Sequence, residues 1–397
     1  MPVKLKAWYI RLIAVLLMMV SGAQRSFAQM SGDSLEFSLL TCDPHSEIYS
    51  LYGHTAIRMY DKAKHFSFII NYGVFDFDSE NFILRFVFGL TDYEMGIFSE
   101  GEFKSEYVRR GSGVIQQDLN LTRAEKQRIF RALMENNKKE NRFYRYNYFY
   151  DNCTTRARDL IVKNVDGMVV YSPSEKEGMS YREAIREYNE DSPWARFGND
   201  LLLGVKADKH LSQSELQFLP FNLSNDFANA EIVGADGSRR PLVSNTKQML
   251  APGIQMVEEG YPLRPRTCAL LLLGLTLVLS LIEWKTGKWL WGFDMVLTAL
   301  CGLCGLVLTA MIFSQHPTVS VNFQILVLNP LCLLFVYPAV KRLRQHQSHW
   351  WWKVYACMIV LFIFLAFFQN YAEGMIILAL SLLVRCMMKI KIVKNIN

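Results

Sequence analysis

An exported α+β domain followed by an all-α bundle of about five membrane-spanning helices is the architecture this sequence predicts. Three observations predict it. The chain opens on a cationic leader with an apolar core; aromatic and β-branched runs then alternate with helical patterns; and beyond Pro265 long apolar stretches take over, separated by short connections.

The leader carries Lys4, Lys6 and Arg11, an apolar core over residues 12–20, and Ser26-Phe27-Ala28 before Gln29, the small-x-small pattern of a cleavage site. A signal peptide over residues 1–28 is expected, with an uncleaved anchor as the alternative because residues 8–23 are almost long enough to span. Either way the residues that follow lie outside the cytoplasm. The net charge of +6 is unevenly spread: residues 1–28 hold four Lys/Arg and no acid, and residues 284–397 hold ten Lys/Arg against Asp294 and Glu373. The stretch between has 29 basic and 35 acidic side chains, a charge of −6. Basic charge confined to a leader and membrane loops orients a chain in a bilayer and excludes nucleic acid as a partner.

The soluble part begins with a predicted hairpin, residues 54–60 and 66–77 around the polar turn Asp61-Lys62-Ala63-Lys64. A helix over residues 121–136 is opened by Thr122 as cap with Glu125 three positions on. A second helix starts just after Cys153 and runs to about Lys163. The expected division is a catalytic domain over 29–175, a helical subdomain over 176–265 and the bundle over 266–397.

The apolar runs of the bundle are residues 267–282, 290–313, 319–340, 354–371 and 375–388. Cations fall in alternate connections: Lys285 and Lys288, then Lys341, Arg342, Arg344 and Lys353, then Lys389, Lys391 and Lys394 in the tail. By the positive-inside rule those sides are cytoplasmic, which puts the C-terminus inside the cell. Trp284, Trp289, Trp291 and Trp350-Trp351-Trp352 suit interfacial belts. Arg385 is expected to snorkel, and Asn329-Pro330 to kink the third span. Asp294, Asn322, Gln324 and Asn329 are polar groups at membrane depth and so candidates for function, Asp294 being close enough to the cytoplasmic end to be interfacial.

Chemistry is concentrated in Tyr146-Asn147-Tyr148-Phe149-Tyr150-Asp151-Asn152-Cys153-Thr154-Thr155, where an aromatic segment meets a helix start. The helix dipole and free N–H groups there lower a thiol's pKa and can hold an oxyanion, which suits Cys153 as a nucleophile. A buried structural cysteine, or a disulfide with Cys42, is the alternative. His54, opening a strand after Gly53, is the best base of the seven histidines. A turn centred on Lys62 and Ala63 would set Asn71 opposite it as orienter, while His65 ranks second because its turn sequence would be poor. Tyr148, Phe149 and Tyr150 surround the thiol and are candidates to line a substrate groove, against the general tendency of aromatics to be core. Cys42 and His45 have a metal-like gap without a second pair, so no metal and no cofactor are expected.

The order of a histidine followed about a hundred residues later by Asn-Cys at a helix start resembles the circularly permuted NlpC/P60 branch of the papain-like superfamily, which includes lecithin:retinol acyltransferase. More closely, Tyr52-Gly53-His54-Thr55-Ala56-Ile57-Arg58, Asn71-Tyr72-Gly73-Val74-Phe75-Asp76-Phe77, Phe86-Val87-Phe88-Gly89, Asp151-Asn152-Cys153-Thr154-Thr155 and Trp194-Ala195-Arg196-Phe197-Gly198-Asn199-Asp200 resemble Lnb-type lipoprotein N-acyltransferases. The resemblance implies a papain-like domain outside a bacterial inner membrane, with Cys153 as nucleophile and His54 as base. It further implies an acyl chain taken from a phospholipid and passed through a thioester to the N-terminal amine of diacylated lipoproteins. Both substrates live in the lipid bilayer. A papain-like peptidase or amidase acting on peptidoglycan stems would use the same pair with water as acceptor, and a non-catalytic scaffold with a Cys42–Cys153 disulfide is the third class.

Overall fold

A computed structural model of the chain describes residues 34–45, 47, 50–75, 80–255 and 261–394. The leader, with its expected cleavage site, lies outside the described residues, as do Asp76 and Phe77 of the quoted motif. The soluble part is built on a seven-stranded sheet. Its strands are β1 (Leu35–Cys42), β2 (His54–Asp61), β3 (Phe66–Val74), β4 (Asp92–Ser99), β5 (Val114–Leu119) and β6 (Phe143–Arg145). A small second sheet holds β7 (Met168–Val170), β8 (Glu231–Val233) and β9 (Arg239–Pro241), and β10 (Val243–Leu250) returns to the large one. The order across the large sheet is β10-β5-β1-β2-β3-β4-β6, antiparallel at every pairing.

The helices of the soluble part are α1 (Phe82–Val87), α2 (Glu100–Arg110), α3 (Arg123–Asn136), α4 (Cys153–Val162), α5 (Tyr181–Arg186), α6 (Pro193–Leu202), α7 (Gln213–Leu216) and α8 (Pro220–Ala228). Alternation along β1 and β2 sorts the core onto two faces. Leu35, Phe37, Leu39, Ile57 and Met59 pack with Ile129 and Leu133 of α3, Ala157 and Ile161 of α4 and Phe227 of α8. Leu40, Cys42 and Ala56 turn the other way, onto Phe103 and Tyr107 of α2. Thr122 and Glu125 form the capping box of α3 that their spacing predicts.

Two sequence expectations are corrected here. The turn of the β2–β3 hairpin lies further on: Asp61 Oδ1 accepts from the Ala63 N–H at 3.0 Å, and the pairing sets Asn71 opposite Ala56, not His54. The register is therefore shifted by two residues, which keeps every side chain on its expected face. The segment 176–265 is helical only as far as Ala228; Glu231–Val233 and Arg239–Pro241 build the second sheet, and Val243–Leu250 adds an edge strand beside β5. β10 escaped notice because its middle residues are exposed and polar, with no apolar alternation to announce a strand.

The C-terminal part is helical: α9 (Pro265–Thr286), α10 (Trp291–Ile312), α11 (Leu331–Arg344), α12 (Trp350–Leu365) and α13 (Met375–Lys394). Among the described residues three stretches are long and apolar enough to cross a membrane: Pro265–Thr286, Trp291–Ile312 and Phe323–Arg344. The third is broken, a short 3-10 turn over Phe323–Leu326 separated from α11 by Asn329-Pro330. This irregular backbone lies against Gly305 of α10, where a Cβ would stand 2.6 Å from the Leu328 carbonyl oxygen, and Tyr355 donates to the Val327 carbonyl at 2.6 Å. Non-helical backbone at this depth is tolerable because protein surrounds it.

Arg385 does not snorkel. It is 2 % exposed and donates to Asp294 at 2.6 Å, Glu283 at 2.8 Å and Ser280 at 3.0 Å, while Lys389 binds Glu283 and Asp294 at 2.8 and 2.9 Å. Two acids and two bases thus close on one another, joining α9, α10 and α13. Asp294 is one of these partners, and Lys389 is not a free tail cation.

Candidate active site

Cys153 stands at the first position of α4, where Asn152 is the N-cap. Its side-chain oxygen accepts from the Thr154 and Thr155 N–H groups at 2.9 and 2.8 Å, and Thr155 Oγ1 accepts in return from the Asn152 N–H at 2.8 Å. Such a cap contributes about 1 kcal/mol. The Arg156 N–H closes on the Asn152 carbonyl, so the Cys153 N–H is the first-turn donor that the cap does not occupy. Asn152 Nδ2 also donates to the Tyr148 and Phe218 carbonyls at 2.8 Å each, and Arg156 binds Asp151 through two bonds of 2.6 and 2.7 Å. The loop that presents the thiol is held from both sides.

His54 opens β2. The preceding Gly53 has φ +76°, and a Cβ there would stand 2.6 Å from the Cys42 carbonyl oxygen, so only glycine lets the chain turn so tightly into this strand. His54 Nε2 lies 3.1 Å from Asn71 Oδ1. The ring also interacts with the Cys153 thiol, each of the two groups shifting the pKa of the other. Asn71 reaches His54 as a diagonal neighbour, because the two-residue register shift preserves the face. His65 sits in the hairpin turn with φ 50°, its Nδ1 3.3 Å from the Tyr60 hydroxyl, at the opposite end of β2 from His54.

Burial by itself would raise the Cys153 thiol. The positive charge of His54, the hydrogen bond from it, the Thr55 N–H and the Thr154 hydroxyl outweigh burial and bring the thiol down to about 7. For His54, burial disfavours the cation, yet the charge of the Cys153 thiolate and the hydrogen bonds to Cys153 and Asn71 raise its pKa, with Arg110 opposing. The two groups titrate as one unit, with the proton drawn from sulfur to imidazole near neutral pH.

Cys42, the strand partner of His54, is fully buried, and both it and Cys153 are free thiols. That geometry does not provide the disulfide of the scaffold alternative. Burial pushes the Cys42 thiol far above its ordinary value, and a hydrogen bond with Tyr107 offsets only part of the rise.

The three aromatic groove candidates separate. Phe149 is core, 7 % exposed and packed on Tyr181 and Phe218. Tyr148 packs tilted against Tyr52 and edge-on to Phe149. Tyr150 is exposed and lines, with Arg156 and Asp159, a cavity of about 570 Å³ on the flank of α4. The tyrosine that feels the thiol is Tyr146: it is stacked on Tyr93 at 4.4 Å, and burial, with the Cys153 charge adding to it, pushes its phenol well up so that it stays protonated. Nothing distinguishes it by sequence from Tyr144, Tyr148 and Tyr150, with which it stands at every second position.

The site is tied to the bundle. Beside Gly53 and His54, the Tyr52 hydroxyl accepts from Asn189 at 2.9 Å and Asn199 of α6 at 2.6 Å. Next to Asn199, Asp200 binds Arg182 at 3.1 Å and Arg186 at 2.9 Å. The end of α6 meets the loop before the broken span: the Gly204 N–H donates to the Thr318 carbonyl and the Val205 N–H to the Val321 carbonyl, at 2.9 and 2.8 Å. Asn322 and Gln324 donate to the Leu201 and Asp200 carbonyls at 2.7 and 2.9 Å. Asn322 and Gln324 are thus fasteners between domains, whereas Asp294 and Asn329 find their partners within the bundle.

Comparison with known proteins agrees with this division. Residues 23–186 match the family model described as the Lnb N-terminal periplasmic domain, and residues 257–396 match that described as the Lnb transmembrane domain. No curated protein and no solved structure matches.

Proposed function

Since the chain belongs to the Lnb family, a family of membrane enzymes that process lipoproteins, we propose that it is a thiol-dependent lipoprotein N-acyltransferase. The observation that carries this reading is the Cys153–His54–Asn71 constellation at a helix start, on a domain stitched to a membrane bundle. In the first half-reaction the Cys153 thiolate attacks an ester carbonyl of a phospholipid. The carbon–oxygen bond breaks, the imidazolium of His54 protonates the departing lysophospholipid alkoxide, and a thioester remains on Cys153. In the second, His54 takes a proton from the N-terminal amine of a diacylglyceryl-cysteine lipoprotein as that amine attacks the thioester, and the thiolate is released. The Cys153 N–H and the protonated Tyr146 hydroxyl are the donors suited to the oxyanion in both steps.

The same reading makes the soluble domain papain-like and periplasmic, and gives the bundle five crossings of the inner membrane with the C-terminus in the cytoplasm. Neutralisation of Arg385 and Lys389 by Glu283 and Asp294 supports counting α13 as a crossing despite its cations. The peptidase alternative has no use for a bundle fastened to its catalytic domain.

The deciding experiment presents phospholipid alone to the purified full-length protein. Intact-mass analysis is expected to show one added acyl chain, removed by hydroxylamine and absent from Cys153→Ala. No adduct with any phospholipid, together with release of peptides from cell-wall fragments, would overturn the proposal in favour of the peptidase.

A further inference from the structure

The segment from α1 to Leu90, Phe82-Ile83-Leu84-Arg85-Phe86-Val87-Phe88-Gly89-Leu90, holds one charge in nine residues and yet stands on the surface: Leu84 is 59 % exposed and Leu90 37 %. Two sets of contacts fix where it stands. On one side the Gln315 N–H donates to the Phe88 carbonyl at 3.0 Å, and Gly89 is packed so closely on Gln315 and His316 that a Cβ would lie 3.3 Å from each. Gln315 lies three residues past α10, an apolar helix with Leu300, Leu303, Leu306 and Val307 exposed and followed by Phe313, 74 % exposed. Leu84 and Leu90 therefore belong to an apolar segment fastened to the end of a helix that turns apolar side chains outward.

On the other side the segment is anchored to the catalytic sheet. Arg145 of β6 donates to the Gly89 carbonyl at 3.4 Å, and both Arg145 and Arg85 bind Asp92 of β4, at 3.1 and 3.0 Å. Val87 packs into the cluster that holds Tyr52, Tyr148 and Phe149. One residue beyond Arg145 is Tyr146, whose phenol feels the charge of the Cys153 sulfur. The apolar segment thus bridges the end of a membrane helix and the strand that leads to the thiol. An exposed apolar surface in continuity with a lipid-facing helix has the bilayer as its natural cover.

We propose that α1 through Leu90 lies in the boundary between headgroups and acyl chains of the outer leaflet of the inner membrane and is the surface on which a phospholipid docks on its way to Cys153. The membrane contact rests on the bundle alone; the purpose rests on the acyltransferase reading.

Both are tested on the full-length protein in nanodiscs. Leu84→Trp and Leu90→Trp each add an indole to the wild-type background, and lipids brominated near the top of their chains are expected to quench the added emission about as strongly as that of Phe313→Trp, the lipid-facing standard. Added emission that brominated lipid leaves untouched would overturn the proposal, and so would quenching blocked when two copies share a disc, which would assign the surface to self-association. In the activity arm, the double variant Leu84→Asp with Leu90→Asp is expected to lower Cys153 loading from bilayer phospholipid, relative to loading from monomeric dihexanoyl phosphatidylcholine, by at least about fivefold. An unchanged ratio overturns the docking role. If wild-type protein is loaded by no phospholipid, the acyltransferase reading fails by itself, and the quenching arm still decides the membrane contact.

Discussion

Two buried thiols of the soluble domain lie on either side of one histidine, and their surroundings drive them apart. Cys42 ends β1 in register with His54, and burial holds its thiol far up. Cys153 is equally withdrawn from water, at 7 % exposure, yet titrates at about 7. Desolvation is common to both. What differs is the set of donors: Cys153 faces the imidazole of His54, the Thr55 N–H and the Thr154 hydroxyl at a helix start, whereas Cys42 in mid-sheet has its hydrogen bond with Tyr107. The contrast teaches that proximity to a histidine does not make a nucleophile. A sulfur must sit where its negative charge is met by donors that the fold has already oriented.

The most forceful way to break the contrast is to remove the cation from between the two. His54→Ala leaves Cys153 with burial as the dominant influence, so its pKa rises. In the native protein the thiolate fraction grows as pH climbs through about 7, and alkylation of Cys153 by iodoacetamide, followed by peptide mass mapping, is expected to trace that midpoint. In the variant the midpoint moves up to 9 or beyond, which cuts the alkylation rate at pH 7 by about fiftyfold, and turnover falls by about a hundredfold or more as the general base is lost. A midpoint that stays near 7 would show that the helix start, not the histidine, activates the thiol.

A smaller effect is expected from Asn71→Ala. The hydrogen bond of 3.1 Å fixes the ring through Nε2, and it also helps to raise the His54 pKa. Its loss leaves the base in place but free to rotate, about 1 kcal/mol of orientation and hence about a five- to tenfold drop in turnover. The alkaline limb of the pH profile should move with it. Because the amide stabilises the imidazolium, removing it lowers the His54 pKa and narrows the upper end of the range in which the ion pair persists. Asn71→Asp, which retains an acceptor, is expected to restore most of the loss. Equal damage from His65→Ala would contradict the assignment, since His65 lies in the turn beside Tyr60.

Much of this site could be read from residues alone, for identifiable reasons. Asn152-Cys153 before a helical pattern is a capping signal, and local capping chemistry does not depend on the rest of the fold. Asn71 was legible in face but not in register: face follows from a period of two, whereas register depends on where the turn closes, and Asp61 closes it by bonding the Ala63 N–H. Tyr146 and Tyr52 were illegible because their roles arise from contacts across long stretches of chain, to Cys153 in one case and to Asn189 and Asn199 in the other. β10 was hidden by polarity at a sheet edge. In the bundle, composition located the apolar runs, but only tertiary packing reveals that Glu283, at the end of α9, and Asp294 neutralise Arg385 and Lys389.

The smallest expected effect sharpens the comparison most, because it concerns why the low-pKa thiol of Cys153 survives in an oxidising compartment with a second thiol so near. A disulfide between the two would form by attack of the Cys42 thiolate on a Cys153 sulfur that had been oxidised to sulfenic acid, and only the thiolate attacks. Burial keeps Cys42 protonated throughout the physiological range, so that this route is closed by the same desolvation that Cys153 overcomes. Hydrogen peroxide at neutral pH is therefore expected to oxidise Cys153 while a Cys42–Cys153 cross-link stays below detection by non-reducing peptide mapping. Cys42→Ala should leave acyl transfer within about twofold of wild type, and should cost about 1 to 2 kcal/mol of stability through the small cavity left against Phe103 and Tyr107, read as a lower thermal transition. Rapid accumulation of the cross-link, with loss of transfer that Cys42→Ala prevents, would mean that the two thiols form a redox pair and that the separation between their environments is smaller than the donor sets imply.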